Sequence, residues 1–302
     1  MAFVEKDGLI EAIALEYLGS PWVTLDIAFN ATLSLQKRLD ICCSLARATA
    51  DVHTRGFVIG DFKPKNLMLD AARAKIKFID VDSWGLQPSA SGTNQTVLRT
   101  AAPPAADFGH IDAEMLEVKY LPPPVGGTHV LSKSTDRFAL GVIILQLLTG
   151  HHPFGSTRKS GGFDSYELRI ANGDVWLRAP DEFVLPEPTI APEHPGYRAL
   201  PRPLREAAMT TLEGGSADPP TANQWIDALE TTYVTVCVRC QADMFIGGNC
   251  PGCGQLPPPP IKAGDRSVPP SRIVGAAMGI STWLGVNAVS YTHLTLPTKR
   301  IV

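Results

Sequence analysis

The stretch Val58-Ile59-Gly60-Asp61-Phe62-Lys63-Pro64-Lys65-Asn66, followed by Lys77-Phe78-Ile79-Asp80-Val81-Asp82-Ser83-Trp84, decides the reading of this chain. An Asp is followed two residues on by a Lys and five residues on by an Asn, and a further Asp closes a short apolar run downstream. Metal-assisted phosphoryl transfer needs that set of groups. One carboxylate accepts a hydroxyl proton, an ammonium steadies the transferring phosphate, and an amide oxygen with a second carboxylate holds Mg2+ against a nucleotide. The alternative for Asp61, Lys63, Asn66 and Asp80 is a polar turn between strands.

Short apolar runs frame the motif. Phe57–Ile59, Leu67–Leu69 and Ile76–Ile79 are bounded by polar turns and predict small strands, with Gly60–Asn66 presented as a loop between the first two. Upstream, Leu35, Leu39, Cys42, Cys43, Ala46, Ala50 and His53 fall at helical spacing, with Ser34 as N-cap and Gly56 as the stop. Phe3–Glu5 and Leu9–Leu15 flank an Asp-Gly step and predict a β-hairpin. Downstream, Arg137–Thr149 is apolar nearly all round and predicts a buried helix ended by Gly150, while Pro220–Tyr233 is amphipathic with Thr221 as its cap. The segment between them and the motif, Trp84–Lys119, has no period and reads as a long loop, its Ser91, Thr93, Thr96 and Thr100 included.

Composition narrows the function. The 302 residues are 44% hydrophobic and 19% charged, with net charge −3, which excludes disorder throughout and leaves no basic surplus for gripping a phosphate backbone, so no nucleic-acid partner is expected. The N-terminus lacks the basic and apolar regions of a signal peptide. Without an export signal, Cys237-x2-Cys240 and Cys250-x2-Cys253 read as metal ligands in a cytoplasmic protein, a tetrahedral structural Zn2+ site in a ribbon offered to a protein partner. The alternative is a set of reduced or redox-active thiols. Cys42 and Cys43 read as helix core, and His53, His110, His129, His151 and His152 as surface, cap or turn residues without ligand spacing.

Beyond the cysteines, residues 257–272 read as a Pro-rich linker, with the four prolines at 257–260 as a stiff extended spacer. Ile273–Val289 is apolar and almost uncharged, at the lower length limit for a membrane helix, and reads as a membrane anchor or a docking helix. Ser290–Val302 resembles translated sequencing-adaptor read-through and is expected to be an artefactual tail.

The ordered motifs resemble the eukaryotic-type protein kinase family from about Leu9 to Leu229. Ile59–Asn66 stands as the catalytic loop, Asp80-Val81-Asp82 as the metal-binding triplet, and Lys119–Pro124 as the end of the activation segment. Ser134–Phe154 resembles the buried Asp-led helix and the His-Pro-Phe turn after it. A D-x-D-S triplet, a Gly before the catalytic Asp and trailing C-x-x-C knuckles are similar to a bacterial kinase-like subgroup. The resemblance implies Asp61 as catalytic base, Lys63 as phosphate-steadying cation, Asn66 and Asp80 as Mg2+ ligands, and Asp136 as anchor of the catalytic loop. It also implies an adenine hinge near Glu16–Leu18, with Leu67 and Leu69 as the floor under ATP.

The expected fold is therefore α+β, a protein kinase-like fold consisting mainly of the helical C-lobe, followed by a small zinc ribbon. Its divisions are an N-lobe and hinge remnant at 1–18, the C-lobe at 19–233, the ribbon at 234–256, the linker at 257–272, the apolar segment at 273–289 and the tail at 290–302. The expected activity is ATP-dependent transfer to Ser or Thr hydroxyls of a protein; the alternative is a pseudokinase scaffold that binds partners without transfer.

Departures from the pattern accompany the likeness. The His-Arg before the base is replaced by Ile59-Gly60, so a phosphorylated activation loop has no arginine to grip there. Pro124 and Pro219 stand where the family carries a buried Glu–Arg pair, and losing both partners avoids the stranded charge that losing one leaves. The Gly-rich loop, strand Lys and helix Glu that precede the hinge have no room before Glu16, so a fragment lacking most of the N-lobe is expected.

Overall fold

The computed structural model describes residues 2–6, 9–14, 18–29, 31–86, 117–123, 131–162, 165–184, 194–213 and 218–256. The chain divides into two compact units, Met1–Pro258 and Pro259–Val302. The described residues all belong to the first unit, so the expected spacer, apolar segment and tail lie outside them, as do Glu16 and Pro124.

Strands β1 (Ala2–Lys6) and β2 (Leu9–Ala14) pair antiparallel as the hairpin pattern predicts. Next come β3 (Trp22–Thr24), the short helix α1 (Leu25–Ala28) and the long helix α2 (Leu35–Thr54). Ser34 caps α2, its Oγ accepting from Lys37 N at 3.3 Å. Leu39, Cys42, Leu45, Ala46, Thr49 and Val52 form its buried face. Past its end, Gly56 adopts φ +87°, a left-handed conformation that stops helices at low steric cost.

Strands β4 (Phe57–Val58), β5 (Leu67–Asp70), β6 (Lys75–Phe78) and β7 (Gly85–Leu86) surround the catalytic-loop sequence. β5 lies between β3 and β6, and β4 pairs with β7, all antiparallel. The strand bounds follow the apolar runs. The pairing of β3 with β5 was not legible, because Trp22–Thr24 is too short to show a period.

Helix α3 (Lys133–Thr149) is the central rod of the lobe. It starts four residues before the apolar run, because Ser132 and Thr135 form a reciprocal capping box, and it ends at Gly150 with φ +81°. Its burial extends nearly all round, with Ile143, Ile144 and Leu145 fully inaccessible. The short pair β8 (Thr157–Arg158) and β9 (Phe183–Val184) brackets helix α4 (Tyr166–Ala171).

Helices α5 (Arg202–Glu213) and α6 (Ala222–Glu230) complete the lobe; α5 packs on α3, and α6 packs on α2 and α5. α5 carries Pro203 at its second position, a residue that obscures a helical signal in the sequence. Proline is compatible with a first helical turn, where its missing N–H has no intrahelical partner. Leu204, Ala208, Thr211 and Leu212 then form a buried stripe. Strands β10 (Val234–Val236) and β11 (Asp243–Phe245) form the small antiparallel sheet that carries the cysteines.

One expectation is corrected. No helix among the described residues is long and apolar enough to cross a membrane, so localisation through a membrane anchor is not supported. Helix α3, apolar along most of its length, has 17 residues, spanning about 25 Å against the ~30 Å of a bilayer core, and its faces are used in the protein interior.

Candidate active site

The loop Ile59–Asn66 leaves β4 and is held by a carboxylate from the first turn of α3. Asp136 is buried, and a buried carboxylate is costly unless donors surround it. Its Oδ2 accepts from Ile59 N at 2.7 Å and its Oδ1 from Gly60 N at 3.0 Å. His53 Nε2 lies 2.9 Å from the same Oδ2, and since a carboxylate only accepts, that nitrogen carries the proton. His53 is therefore neither a cap nor a surface residue. It sits on the buried seam of α2 that the helical spacing had marked, and it joins that helix to the loop anchor.

Gly60 has a structural reason to stand where the family has Arg. Its φ is +74°, and a Cβ there would meet Ser83 O at 2.9 Å. Ser83 Oγ in turn donates to Ile59 O at 3.1 Å, so the last residue of the D-x-D-S turn closes directly onto the loop.

Inside the loop the polar side chains converge. Asp61 Oδ2 faces Lys63 Nζ at 2.5 Å and accepts from Asn66 Nδ2 at 3.0 Å. The same Asn66 nitrogen donates to Asp61 O at 3.0 Å, which orients the amide and leaves Oδ1 as the atom offered to a cation. Asn66 lies in the short turn Pro64–Asn66, and its carbonyl accepts from Ile79 N at 2.9 Å. That bond places Asp80 one residue beyond a fixed point next to Asn66. Asp80 adopts φ 58°, ψ 53°, a left-handed conformation uncommon outside glycine and characteristic of sites that over-determine the backbone. The donor set of Asn66 and Asp80 fits a hard cation such as Mg2+, which takes oxygen ligands.

Of the other expected nucleotide residues, Leu67 and Leu69 are fully buried in β5 and Leu18 is half-buried ahead of β3.

The end of the activation segment is fixed by contacts the sequence did not announce. Tyr120 OH donates to Gln146 Oε1 at 3.1 Å, near the last turn of α3. His152 Nδ1 accepts from Phe154 N at 3.2 Å, so its proton lies on Nε2, which donates to Lys119 O at 3.0 Å. His152 is buried, and that burial, with the Lys119 charge next, lowers its pKa to about 3 and keeps it neutral. Of the expected surface, cap or turn position, the turn holds, since Gly155 N donates to His152 O at 2.8 Å, while the surface alternative is corrected by burial. Nearby, Glu117 pairs with Lys119 at 3.0 Å and with Lys65 at 3.6 Å.

The four cysteines gather as a cluster whose Sγ atoms all lie within 4.8 Å of one another. Cys237 and Cys253 are 3.7 Å apart, and Cys240 and Cys250 are 3.4 Å apart. A tetrahedron of Zn–S bonds of about 2.3 Å sets sulfur–sulfur separations of about 3.8 Å, which these approach. The two knuckles share one backbone pattern. Cys237 N donates to Ala242 O and Cys237 O accepts from Gln241 N; Cys250 N donates to Gln255 O and Cys250 O accepts from Gly254 N. Gln241 and Gly254, each four residues past the first ligand, both take left-handed φ. Backbone N–H groups, Cys240 first, lower the Cys237 thiol to about 6, whereas burial raises Cys250 to about 12.

Comparison with known proteins agrees with this architecture. Residues 3–180 match the protein kinase domain. Serine/threonine-protein kinase PrkC of Bacillus subtilis is 28% identical over 142 residues, covering 47% of this chain and 19% of that protein. Serine/threonine-protein kinase pkn3 of Myxococcus xanthus is 26% identical over 181 residues, covering 60% and 31%. Serine/threonine-protein kinase Pkn1 of the same organism is 29% identical over 192 residues, covering 62% and 24%. The chain spans about a fifth to a third of the length of these curated relatives. It belongs to the protein kinase family.

Proposed function

We propose that this chain carries the catalytic lobe of an ATP- and Mg2+-dependent kinase that phosphorylates Ser or Thr hydroxyls of a protein, with a structural Zn2+ in the four-cysteine ribbon. The reading rests on one observation above all: Asp61, Lys63 and Asn66 form a single bonded group whose loop hangs on buried Asp136. In this reading Asp61 accepts the proton of the attacking hydroxyl, Lys63 balances charge on the transferring phosphate, and Asn66 Oδ1 with Asp80 holds the metal. The bound metal neutralises charge on the nucleotide phosphates. The proposed divisions remain a hinge remnant at 1–18, the lobe at 19–233 and the ribbon at 234–256.

Transfer of labelled γ-phosphate from ATP to casein, measured on the 302-residue chain and on an upstream-extended form, tests the reading. Asp61→Asn is expected to lower transfer by about 100-fold or more while ATP binding persists. Asp80→Ala is expected to abolish Mg2+-dependent ATP binding in calorimetry. Transfer that Asp61→Asn leaves unchanged sinks the assignment, and absence of ATP binding in the wild type favours the scaffold.

A further inference from the structure

The ribbon is built into the lobe. Strand β11 presents its two faces to different neighbours, as alternation along a strand requires. Met244 packs with Cys237 and Cys250 in the small cluster around the thiols, whereas Phe245, 3% exposed, belongs to the main hydrophobic core of the lobe. Asp243 lies on the same face of the strand as Phe245, and its Oδ2 accepts from Leu35 N, the first residue of α2, at 3.0 Å. The opening N–H groups of a helix have no intrahelical partner, and a carboxylate there also meets the positive end of the helix dipole. Ser34 serves Lys37 N, so the two side chains cap α2 together, one from the lobe and one from the ribbon.

The second knuckle touches the lobe as well. Asn249 N, next to Cys250, donates to Arg198 O at 2.6 Å, and a Cβ on Gly248 would lie 2.1 Å from Ala199 O, so ribbon backbone and lobe backbone are in direct contact. Ile246 N donates to Tyr233 O, tying β11 to the exit of α6. The cluster of Cys237, Met244 and Cys250 is too small to hold a fold by apolar burial alone, so the positions of Asp243 and Asn249 depend on what holds the knuckles.

We propose that the four-cysteine site is a metal-dependent clamp on the kinase lobe: metal held by Cys237, Cys240, Cys250 and Cys253 keeps Asp243 on the N-terminus of α2, and metal loss releases that helix end and loosens the lobe. α2 is the element that carries His53 to Asp136 at its other end, so the clamp acts on a helix that also contacts the catalytic-loop anchor. Metal binding to a site that the unfolded chain does not preform contributes directly to folding. The inference rests on the metal-site reading above but not on phosphoryl transfer.

The test uses the full chain, loaded with Zn2+ or stripped by a chelator, with metal content measured in each sample. Unfolding is followed by the fluorescence of buried Trp176 and Trp225, which lie in the lobe, and hydrogen exchange is read over residues 35–38. Stripping is expected to lower the lobe midpoint by about 4 °C or more and to speed exchange at the first turn of α2 by about fivefold or more. Asp243→Ala is expected to retain Zn2+ while losing the exchange effect; should that variant not fold, the wild-type comparison stands alone. A chain that binds and releases Zn2+ with an unchanged lobe midpoint and unchanged α2 exchange overturns the clamp. A chain that binds no Zn2+ overturns the metal site itself.

Discussion

The catalytic loop and the four-cysteine ribbon are both small polar constructions, and they are held in opposite ways. The ribbon's thiols are aimed by turns of a few residues, each knuckle repeating the same pair of backbone bonds. The loop is instead hung from groups elsewhere in the chain, Asp136 in α3 and Ser83 in the turn after β6, with His53 at the end of α2 bonded in turn to Asp136. A locally specified site keeps its geometry when its surroundings change. A remotely specified one fails when any of its distant supports is removed.

The largest expected effect separates the two regions. Asp136→Ala leaves Ile59 N, Gly60 N and His53 without their shared acceptor, and urea unfolding should show a loss of about 4 kcal/mol while Zn2+ stoichiometry stays the same. A loss below about 1 kcal/mol would break the contrast. Gly60→Ala acts on the other support, by forcing a side chain into φ +74° and against Ser83 O. It should cost roughly 2–3 kcal/mol in the same measurement, and an unstrained variant would show that the turn after β6 gives way freely.

The pH dependence comes next. His152 and His194 are lowered to about 3 and about 4 by burial, so the folded state stays neutral where the unfolded chain takes up protons. Stability is then full above pH ~6.5, the ordinary histidine value, and falls as the pH drops below it toward the folded values. Each residue should contribute a loss of about 2 kcal/mol between pH 7 and pH 5. His152→Gln retains a donor for Lys119 O and should remove its share of that dependence; an unaltered profile would mean that His152 is not held neutral. The smallest effect belongs to a position outside both regions. Thr221→Ala deletes the capping box of α6 and should lower the thermal midpoint, at a cost of about 1 kcal/mol, without changing Zn2+ content or ATP binding.

The same contrast explains what could be read from the sequence. The cysteine spacing carries its own geometry, and α2, α3 and α6 announce themselves through caps and periodicity. Asp61, Lys63 and Asn66 lie within six residues of one another, so their convergence follows from one turn. The role of Asp136 was reachable only through the family likeness, because nothing near it names its partners. His53 stands on the inward seam of its helix, yet the sequence allows a surface, cap or turn residue there, since spacing reveals that a residue faces inward but not what it meets. Asp243 had no signal at all; its partner, Leu35 N, is a backbone group more than two hundred residues earlier. His152 and the Tyr120–Gln146 pair were hidden for the same reason, being contacts between segments whose approach depends on the whole lobe.

Helix α3 also works as a gauge. It holds the Ile59–Asn66 loop through Asp136 in its first turn and the Val118–Tyr120 turn through Gln146 near its last. Ten residues of helix separate those attachments by about 15 Å, a length set by helical rise and not by either loop. Inserting or deleting one residue between them would shift the second attachment by about 1.5 Å and turn it by roughly a quarter of a revolution. The sequence between Asp136 and Gln146 can therefore vary in its side chains far more readily than in its length.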